Sequence, residues 1–537
     1  MPTQWPIPHP AWQRLLAIAD PYRQAFEGDC DEPRRAQEHF LRQALEINRE
    51  TDIGRRHDFA SLTDPAAYAE RIPLVRYPDI ETDLAAWRAG VSTVCAEPVI
   101  ATEWTSGSTR EAKAIPYGEA GLEDFRRALF PWLADLCRHV PAVAAGSVYW
   151  ALSPTGTGAF AERGAAGNDA VYFGPAAPHL VALSAMPLAV SLLDTVAAWR
   201  FWTCLFLAAC EDLALVSIWS PTFLHPLLDT LEQEAERVID CLDSPWRHRV
   251  PAPLAEPLRQ LGTRGSRGAR RLRAAVAAGR LDPRILWPKL VRVSCWTHGA
   301  AARYVAALSR RLPGVTVEPK GLLSTEAAVS IPLHDAPAPV AAVASAFLEL
   351  CRDDGVCLPL WEWHEGDEGV IVVTTRSGLW RYDTRDRVRV VGFWRNAPCL
   401  VFLGRAGHQV DLCGEKLDEV LVGQRLPPGL DAFLAPDGAE ARRYLLFLDA
   451  RQVTADGATA VATRIDAALR EIVHYRHARE LGQLDAVAAV RVAGLMATVA
   501  RRGREHRGAP LSAVKTPALD GDTGWLAYFV ERDAIED

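Results

Sequence analysis

Hydrophobic and polar positions along this chain switch repeatedly between helical and strand-like periods. Residues 11–50 have apolar positions at helical spacing among many Glu and Arg residues, which predicts surface helices at the edge of a large domain. Further on, short apolar runs predict strands, with helical stretches between many of them. The predicted strands are 98–104, 147–152, 213–218, 289–296, 314–318, 369–375, 386–393 and 399–403, and the predicted helices are 119–138, 195–210, 223–241, 268–279 and 299–311. This alternation predicts an α/β fold with a substantially parallel sheet.

The pattern changes in the second half of the chain. Three strands in succession over 369–403 predict a β meander or a small barrel. Beyond Gly404-Arg405, elements at 416–422, 443–449, 459–475, 487–493 and 525–530 predict a small α+β domain of ordinary size. We therefore expect a large N-terminal domain, residues 1–404, with mixed or parallel sheets and a β-rich subdomain. A hinge would join it to a small, mobile α+β C-terminal domain, residues 405–537.

Composition indicates a globular protein of more than one domain. The 537 residues are 49% hydrophobic and 23% charged, and the net charge of -8 argues against binding nucleic acid or an anionic membrane. The apolar segments 176–193 and 201–210 are predicted to be buried core, because the first contains prolines and the second is too short to span a bilayer. The basic stretch 264–273 is interpreted as a solvated loop that enters a helix.

The cysteines and the N-terminus indicate a cytoplasmic protein. The 11 cysteines show no Cys-x-x-Cys and no paired spacing, so neither a zinc site nor a disulfide framework is expected. Buried thiols in a reducing compartment are the favoured interpretation. The first ten residues lack a basic and an apolar region, so we expect no signal peptide.

Residues 105–113 are the strongest candidate for chemistry. A run of hydroxyl residues and glycine follows a predicted strand, and a lysine follows it. Backbone N–H groups and hydroxyls in such a loop can bind phosphate, and the lysine adds a positive charge. The Walker spacing is absent, and from local sequence alone an ordinary turn is the better interpretation. The candidate phosphate ligands are Thr105, Ser106, Gly107, Ser108, Thr109 and Lys113.

Four later segments supply further candidates. Thr325-Glu326 follows a predicted strand, where the carboxylate could hold magnesium and the hydroxyl could reach a phosphate, although a capped turn is the alternative. Asp386 opens a predicted strand and could accept two hydrogen bonds from a ribose diol, or it could be a surface charge paired with an arginine. Arg405 could contact ribose or phosphate, or be solvated at a turn. Lys515 is a single cation on a predicted loop.

In this order and at these separations, the segments resemble the acyl-acid amido synthetases that conjugate auxin and jasmonate to amino acids in plants. This is the Gretchen Hagen family, a branch of the adenylate-forming enzymes, and its bacterial members are the most similar. The resemblance covers nearly the whole chain. It includes the shared segments 51–55, 72–75, 217–223, 287–290, 294–296, 320–323 and 414–417.

The resemblance implies an ATP- and magnesium-dependent ligase that adenylates a small carboxylic acid and transfers the acyl group to an amine. The loop 105–113 would then bind the ATP phosphates, and Thr325 and Glu326 would lie at the α-phosphate and the magnesium ion. Asp386 would bind the ribose, and Arg405 would mark the hinge and touch the nucleotide. Lys515 would move in on the C-terminal domain to act in catalysis. The Trp-rich region 145–225 is interpreted as part of an apolar pocket for an aromatic or aliphatic acid.

The chain departs from the family pattern at a few positions. Arg110 and Arg385 stand where relatives usually have glycine, which permits tight turns and close approach of phosphate. Leu322 replaces the adenine-packing tyrosine of the plant members, and Gly407 replaces a residue that is commonly polar. Two alternatives therefore stay open. One is a ligase that transfers the acyl group to a thiol, on coenzyme A or a carrier protein, and the other is a non-catalytic family member.

Overall fold

The computed structural model describes residues 9–105, 113–151, 169–277, 279–298, 301–406, 409–410, 412–413, 415, 417–438, 442–480, 483–507 and 517–536. The described chain opens with helices α1 (Pro10–Asp31), α2 (Pro33–Asn48), α3 (Asp52–Arg56), α4 (Pro65–Arg71) and α5 (Tyr77–Arg88). The helices predicted over 11–50 are confirmed. Helix α1 is more than a surface helix, because Trp12, Leu15 and Phe26 are buried in the largest hydrophobic cluster.

A four-stranded parallel sheet follows, as the alternating pattern predicts. The elements of this region are β1 (Ala101–Thr105), β2 (Lys113–Tyr117), α6 (Glu119–His139), β3 (Ser147–Trp150), α7 (Ala177–Leu183), α8 (Val196–Ala209), β4 (Leu213–Ser217), α9 (Pro221–Gln233), α10 (Ala235–Asp243), α11 (Ala255–Leu261), α12 (Thr263–Val276), α13 (Pro283–Leu286), β5 (Arg292–Cys295), α14 (Ala302–Arg311) and β6 (Thr316–Pro319). Strands β3, β4, β5 and β6 are neighbours in that order and all run parallel. The basic stretch 264–273 lies inside α12 and is therefore not the predicted loop.

The next region forms a seven-stranded antiparallel sheet in the order β10-β9-β11-β12-β13-β8-β7. Its strands are β7 (Ser330–Ile331), β8 (Val340–Ala341), β9 (Phe347–Cys351), β10 (Cys357–Pro359), β11 (Glu368–Thr374), β12 (Tyr382–Trp394) and β13 (Ala397–Arg405). The three predicted strands are β11, β12 and β13. Cys351 and Cys357 face each other across the β9–β10 hairpin and form a disulfide, contrary to the expectation of none. Sequence spacing alone does not reveal that a hairpin brings the two thiols together.

The remaining elements form an α+β region with its own hydrophobic clusters. They are β14 (Gln409–Val410), β15 (Leu417–Asp418), α15 (Glu419–Arg425), β16 (Ala432–Pro436), β17 (Tyr444–Asp449), α16 (Ala455–Leu469), α17 (Val473–Glu480), β18 (Ala488–Val492), α18 (Leu495–Arg507), α19 (Trp525–Val530) and β19 (Ile535–Glu536). Strands β16 to β19 form one sheet, in which only β17 and β18 are parallel. One cluster packs on each face of this sheet. The α/β fold class is thus confirmed.

The apolar segments 176–193 and 201–210 contribute α7, α8 and short 3-10 turns to the protein core. Within the part of the chain that the structure describes, no helix combines the length and apolar character needed to cross a membrane.

Candidate active site

An antiparallel hairpin fixes both ends of the candidate phosphate loop. Strands β1 and β2 pair in register, with Thr105 opposite Lys113. This arrangement corrects the interpretation of a strand, loop and helix, because the loop leads into a second strand and α6 begins only at Glu119. The other predicted phosphate ligands lie outside the described residues: Ser106, Gly107, Ser108 and Thr109, as does Arg110.

Lys113, Glu326 and Tyr382 form a compact polar group at the start of β2. The ammonium of Lys113 donates a hydrogen bond to the Tyr382 hydroxyl at 3.0 Å and lies 3.8 Å from Oε1 of Glu326. The Tyr382 hydroxyl in turn donates to the same carboxylate oxygen at 3.4 Å. Burial lowers the pKa of Lys113, while the Glu326 carboxylate opposes that shift. The half-buried Lys113 thus lies next to the buried carboxylate of Glu326, which is far from it in the sequence.

Glu326 belongs to a tight turn between β6 and β7. The backbone N–H of Ser324 donates to the carbonyl of Ala327 at 3.0 Å, which closes the turn. The hydroxyl of Tyr117 donates to the carbonyl of Thr325 and ties the turn to β2. Only 7% of the Glu326 surface is exposed. The segment is therefore a turn, as the alternative interpretation held, and the turn presents Glu326 to Lys113.

A β-bulge in β12 places Asp386 beside Arg405. Residues 384–386 face the single residue Ile371 of β11. The Thr384 hydroxyl donates to the carbonyl of Ile371 at 2.8 Å and accepts from the backbone N–H of Asp386 at 3.1 Å. On the other side of β12, Asp386 is paired with Arg405 of β13, and Nε of Arg405 lies 3.2 Å from Oδ1 of Asp386. Bulges of this kind redirect side chains next to functional sites.

Arg405 connects the bulge with the Lys113 group. Its Nη2 donates to the carbonyl of Thr384 at 3.2 Å. Burial opposes its charge, but attraction by Asp386 and then by Glu326 outweighs burial, so that the pKa of Arg405 is raised. The described candidates therefore form two contacting pairs, Lys113 with Glu326 and Asp386 with Arg405, whose charges act on each other. Thr105 and Thr325 bring their backbones to Lys113 and Glu326.

Arg385 lies at the centre of the bulge in a left-handed backbone conformation, with φ of 65°. Its carbonyl accepts a hydrogen bond from the N–H of Ala406 at 2.7 Å, and its own N–H donates to Asp383 at 2.8 Å. A residue with a Cβ is disfavoured in this conformation, whereas glycine adopts it freely. Glycine, which the family resemblance leads us to expect here, would adopt this backbone without strain.

The junction at residues 404–405 also requires glycine. Gly404 has φ of 145°, and a Cβ at this position would overlap the side chain of Val420 on α15. The helix that begins the C-terminal region therefore packs directly on the backbone of β13. Lys515 and Gly407 lie outside the described residues.

Aromatic side chains gather at the carboxyl end of the parallel sheet. The Lys320 ammonium, just after β6, lies 5.2 Å from the ring centres of Trp132 and Trp150 and 5.8 Å from that of Trp219. It also donates to the Ser217 hydroxyl at 2.6 Å. In open α/β sheets, ligands bind at this edge. The predicted Trp-rich region thus contributes to an aromatic surface that also contains a lysine.

Two sets of side chains in the described residues have metal-binding chemistry. Glu326 offers one carboxylate in the site itself, which suits a magnesium ion held mainly by nucleotide phosphates. Asp135, His139 and His334 form a second group at the surface, with ligand atoms within 4.8 Å of one another. In that group each histidine Nδ1 lies 3.2 Å from an oxygen of Asp135, so hydrogen bonds within the group account for its geometry.

Sequence reasoning missed the two tyrosines of the site. Tyr382 links Lys113 to Glu326, and Tyr117 holds the turn that contains Glu326. Tyr382 stands four residues before Asp386, in the segment that carries the resemblance, but nothing in its spacing indicates that its hydroxyl meets a lysine from β2. Burial raises the pKa of Tyr382, and so does the adjacent Glu326, so this hydroxyl stays protonated and can donate.

The fold is shared with solved structures of an acyl acid amido synthetase and of a CoA ligase. A structure of GH3.15 acyl acid amido synthetase superposes with a TM-score of 0.80, covering 96% of both chains at 17% identity. A 2-hydroxyisobutyryl-CoA ligase in its postadenylation state superposes with a TM-score of 0.54, covering 93% of this chain and 91% of the ligase at 12% identity. At these identities the similarity establishes the fold alone.

The chain belongs to the GH3 family. Residues 22–317 match the GH3 family N-terminal domain, and residues 344–405 match the GH3 family central domain. A probable indole-3-acetic acid-amido synthetase GH3.1 of Oryza sativa subsp. japonica is 36% identical over 88 residues, which are 16% of this chain. The aligned segment spans only 14% of that relative's length. The resemblance inferred from the sequence motifs is confirmed.

Proposed function

We propose that this protein uses ATP to convert a carboxylic acid into an acyl-adenylate and transfers the acyl group to an amine, with release of AMP and pyrophosphate. The amine in this proposal is an amino acid. The observation that carries the proposal is the pair of contacts between Lys113 and Glu326 and between Asp386 and Arg405, whose charges act on one another. Membership in a family whose named relatives are amido synthetases supports the same reaction.

In the proposed complex, each part of the site has one task. The loop 105–113, with Lys113 at its end, binds the phosphates, and Thr325 lies at the α-phosphate. Asp386 accepts hydrogen bonds from the ribose hydroxyls, and Arg405 holds that carboxylate and faces the nucleotide. An ionised carboxylate such as that of Asp386, paired with Arg405, only accepts hydrogen bonds, which suits a diol with two donors.

Magnesium fits this site through Glu326 and the nucleotide phosphates. The buried carboxylate of Glu326 contacts the ammonium of Lys113. When nucleotide phosphates bind, this carboxylate can contact a magnesium ion in place of the lysine. When bound, the ion would supply positive charge to the phosphate oxygens. The chain's own contribution is to hold Glu326 in its turn and to keep Lys113 desolvated, so that its charge acts strongly on the phosphates.

The proposed chemistry has two steps. The acid carboxylate attacks the α-phosphorus, and pyrophosphate leaves with the bonding electron pair. Repulsion between the two anions opposes this step, and Lys515, on a mobile domain formed by residues 405–537, would neutralise it. In the second step, a neutral amine attacks the acyl carbon, AMP leaves, and the amine nitrogen gives up its proton. Proximity supplies most of the second step.

The acid would bind at the carboxyl end of the parallel sheet. Trp150 and Trp219 line this edge beside Lys320, which supports an aromatic or aliphatic acid as the substrate class. The large domain, residues 1–404, would thus bind both substrates of the first step. A reaction driven by cellular ATP also supports the cytoplasm as the compartment.

Acid-dependent exchange of labelled pyrophosphate into ATP, measured with a panel of acids, tests the first step. Wild type should exchange with at least one acid, and Lys113→Met should lower exchange by about tenfold or more, since it removes a charged phosphate ligand. The matched control is Lys289→Met, because Lys289 is exposed. Absence of exchange and of AMP release across all acids and amines would contradict the proposal.

The acceptor is tested by product mass. Incubation of the adenylating enzyme with amino acids, with coenzyme A and with a carrier-protein arm should give an amide with an amino acid. A thioester alone would identify the protein as a thiol ligase instead. A folded protein that binds no ATP in a calorimetric titration would be a non-catalytic family member.

A further inference from the structure

Three arginines on or beside β12 share an unusual backbone conformation. Arg381, Arg385 and Arg395 have φ values of 45°, 65° and 52°. Residues other than glycine, asparagine and aspartate rarely adopt this backbone conformation, because their Cβ crowds the following carbonyl oxygen. A strained residue of this kind persists only where the surroundings hold it, and such residues cluster at functional sites.

Two of the three arginines form ion pairs with carboxylates. Both oxygens of Glu349 accept hydrogen bonds from Arg381, each at 2.9 Å. Arg395, at the turn between β12 and β13, lies 2.6 Å from Asp31 and 3.1 Å from Glu27. In each of these cases ion pairing within the protein stabilises the side chain that the backbone conformation disfavours.

Arg385 differs because positive charge surrounds it. Arg76 and Arg405 both repel its guanidinium, and with burial as the larger cause they lower the pKa of Arg385. The nearby carboxylate of Asp383 attracts it but is engaged elsewhere, since Arg76 lies 2.9 Å from Oδ2 and the Arg385 backbone N–H donates to Oδ1 at 2.8 Å. Within the described part of the chain, Arg385 forms no ion pair with a carboxylate.

The position of Arg385 connects this charge to the candidate phosphate loop. The repulsion of Arg385 and Arg405 is felt at Lys113, the last residue of that loop. Lys113 of β2 thus experiences the charges of Arg385 and Arg405 together with those of Glu326 and Asp386. An arrangement of like charges that is unfavourable by itself becomes favourable when a polyanion binds among them.

We propose that Arg385 binds the β- and γ-phosphates of ATP and of the released pyrophosphate, as a ligand that replaces the glycine of related chains. This proposal rests on the ATP-dependent function proposed above. The β,γ end is favoured over the α-phosphate because it carries most of the negative charge of the nucleotide, and this cluster of cations matches that charge. The bulge formed by residues 384–386 places Arg385 directly before Asp386, which is paired with Arg405.

Calorimetric titration of ATP, pyrophosphate and AMP into wild type and Arg385→Gly tests the assignment. Glycine adopts φ of 65° without strain, so the variant should be at least as stable thermally as wild type. Affinity for ATP and pyrophosphate should fall by about tenfold or more, as expected for a charged hydrogen-bonding partner, while affinity for AMP should change by less than about twofold. Arg385→Asn, whose new side chain also tolerates this backbone, is the second variant.

Arg395→Gly is the matched control, since it removes an arginine of the same backbone conformation from the far end of β12. It should leave all three affinities unchanged. Unchanged ATP and pyrophosphate affinities in both Arg385 variants would overturn the assignment, and so would an equal loss of AMP affinity. If wild type itself binds no ATP, the proposed function fails and this assignment fails with it. If wild type binds ATP and both Arg385 variants bind it equally well, only the role of Arg385 is contradicted, and the proposed function stands.

Discussion

Glu318, at the end of β6, shows how burial changes the protonation of one side chain. Arg292 lies 3.5 Å from its carboxylate and Lys320 is close by, yet burial outweighs both cations and raises the pKa of Glu318 to about 7. The carboxyl group therefore stays partly protonated near neutral pH. It lies at the same edge of the sheet as the aromatic surface around Lys320.

This shift predicts a pH dependence of stability. The pKa of Glu318 in the folded protein exceeds its usual value, so the folded state binds more protons than the unfolded state between about pH 4.5 and about pH 7. The contribution of Glu318 to stability is thus complete below this window and is lost as the pH rises through it. Glu318→Gln should flatten the dependence.

Urea unfolding of wild type and Glu318→Gln at pH 5 and pH 8 measures the effect. Wild type should lose more unfolding free energy between the two pH values than the variant does. Glu365→Gln, at an exposed position, serves as the control and should behave like wild type. Equal pH dependence in wild type and Glu318→Gln would show that the carboxyl group is ionised throughout.

Gly404 is the point where two elements meet, since β13 passes under α15 at this residue. Gly404→Ala should destabilise the protein by about 1–3 kcal/mol, because a Cβ meets Val420 and the backbone conformation disfavours a side chain. The double variant Gly404→Ala with Val420→Ala should recover part of the loss by making room.

Thermal and urea unfolding of the single and double variants provide the measurement. Gly438→Ala is a control for backbone strain alone, because Gly438 also has positive φ and an added Cβ there would meet nothing within 4 Å. A Gly404→Ala protein as stable as wild type would mean that α15 does not pack closely on β13 in solution.

Elements differed in how well the sequence predicted them. The strands of the parallel sheet alternate with helices along the chain, and β3, β4, β5 and β6 all appear where predicted. Strands β7 and β8 have two residues each, too few to show a period, and they form only through pairing with distant partners. The predicted helix 223–241 is divided between α9 and α10.

Some residues of the candidate site could be predicted from the sequence, and others could not. Lys113, Glu326, Asp386 and Arg405 could be found from their residue types and their order along the chain. The link through Tyr382 could not, because it depends on the packing of β2 against β12. For Arg385, the only sequence indication of a left-handed backbone is the glycine expected there from the family resemblance. The charges around Arg385 come from Arg76 and Arg405, which are remote in sequence and therefore could not be predicted.

At the scale of the whole molecule, the hydrophobic clusters after residue 409 are separate from those of the large region. A separate core is what a hinged domain requires. We therefore propose a mobile domain that delivers Lys515 to the site. Leu519, four residues after Lys515 in the sequence, forms a parallel bridge with Leu434 of β16.

Lys515→Ala should slow adenylation by about a hundredfold or more, because it removes charge stabilisation in the transition state. ATP affinity should change by less than about twofold, since the lysine would act only after the domain moves. Single-turnover acyl-adenylate formation and ATP titration measure the two effects, with Lys289→Ala as the control. A parallel loss of rate and ATP affinity would show instead that Lys515 binds the nucleotide in the resting state.

The hairpin of β1 and β2 has a consequence for how this protein can change over evolution. Because Thr105 and Lys113 are held opposite each other by the ladder, the intervening segment can vary in composition and length while its two anchors stay in place. Lengthening a loop whose ends are already joined costs little free energy, about 0.6 kcal/mol for a doubling. The ladder therefore sets the position of Lys113, while the residues between the two anchors are constrained by the phosphate binding proposed for them.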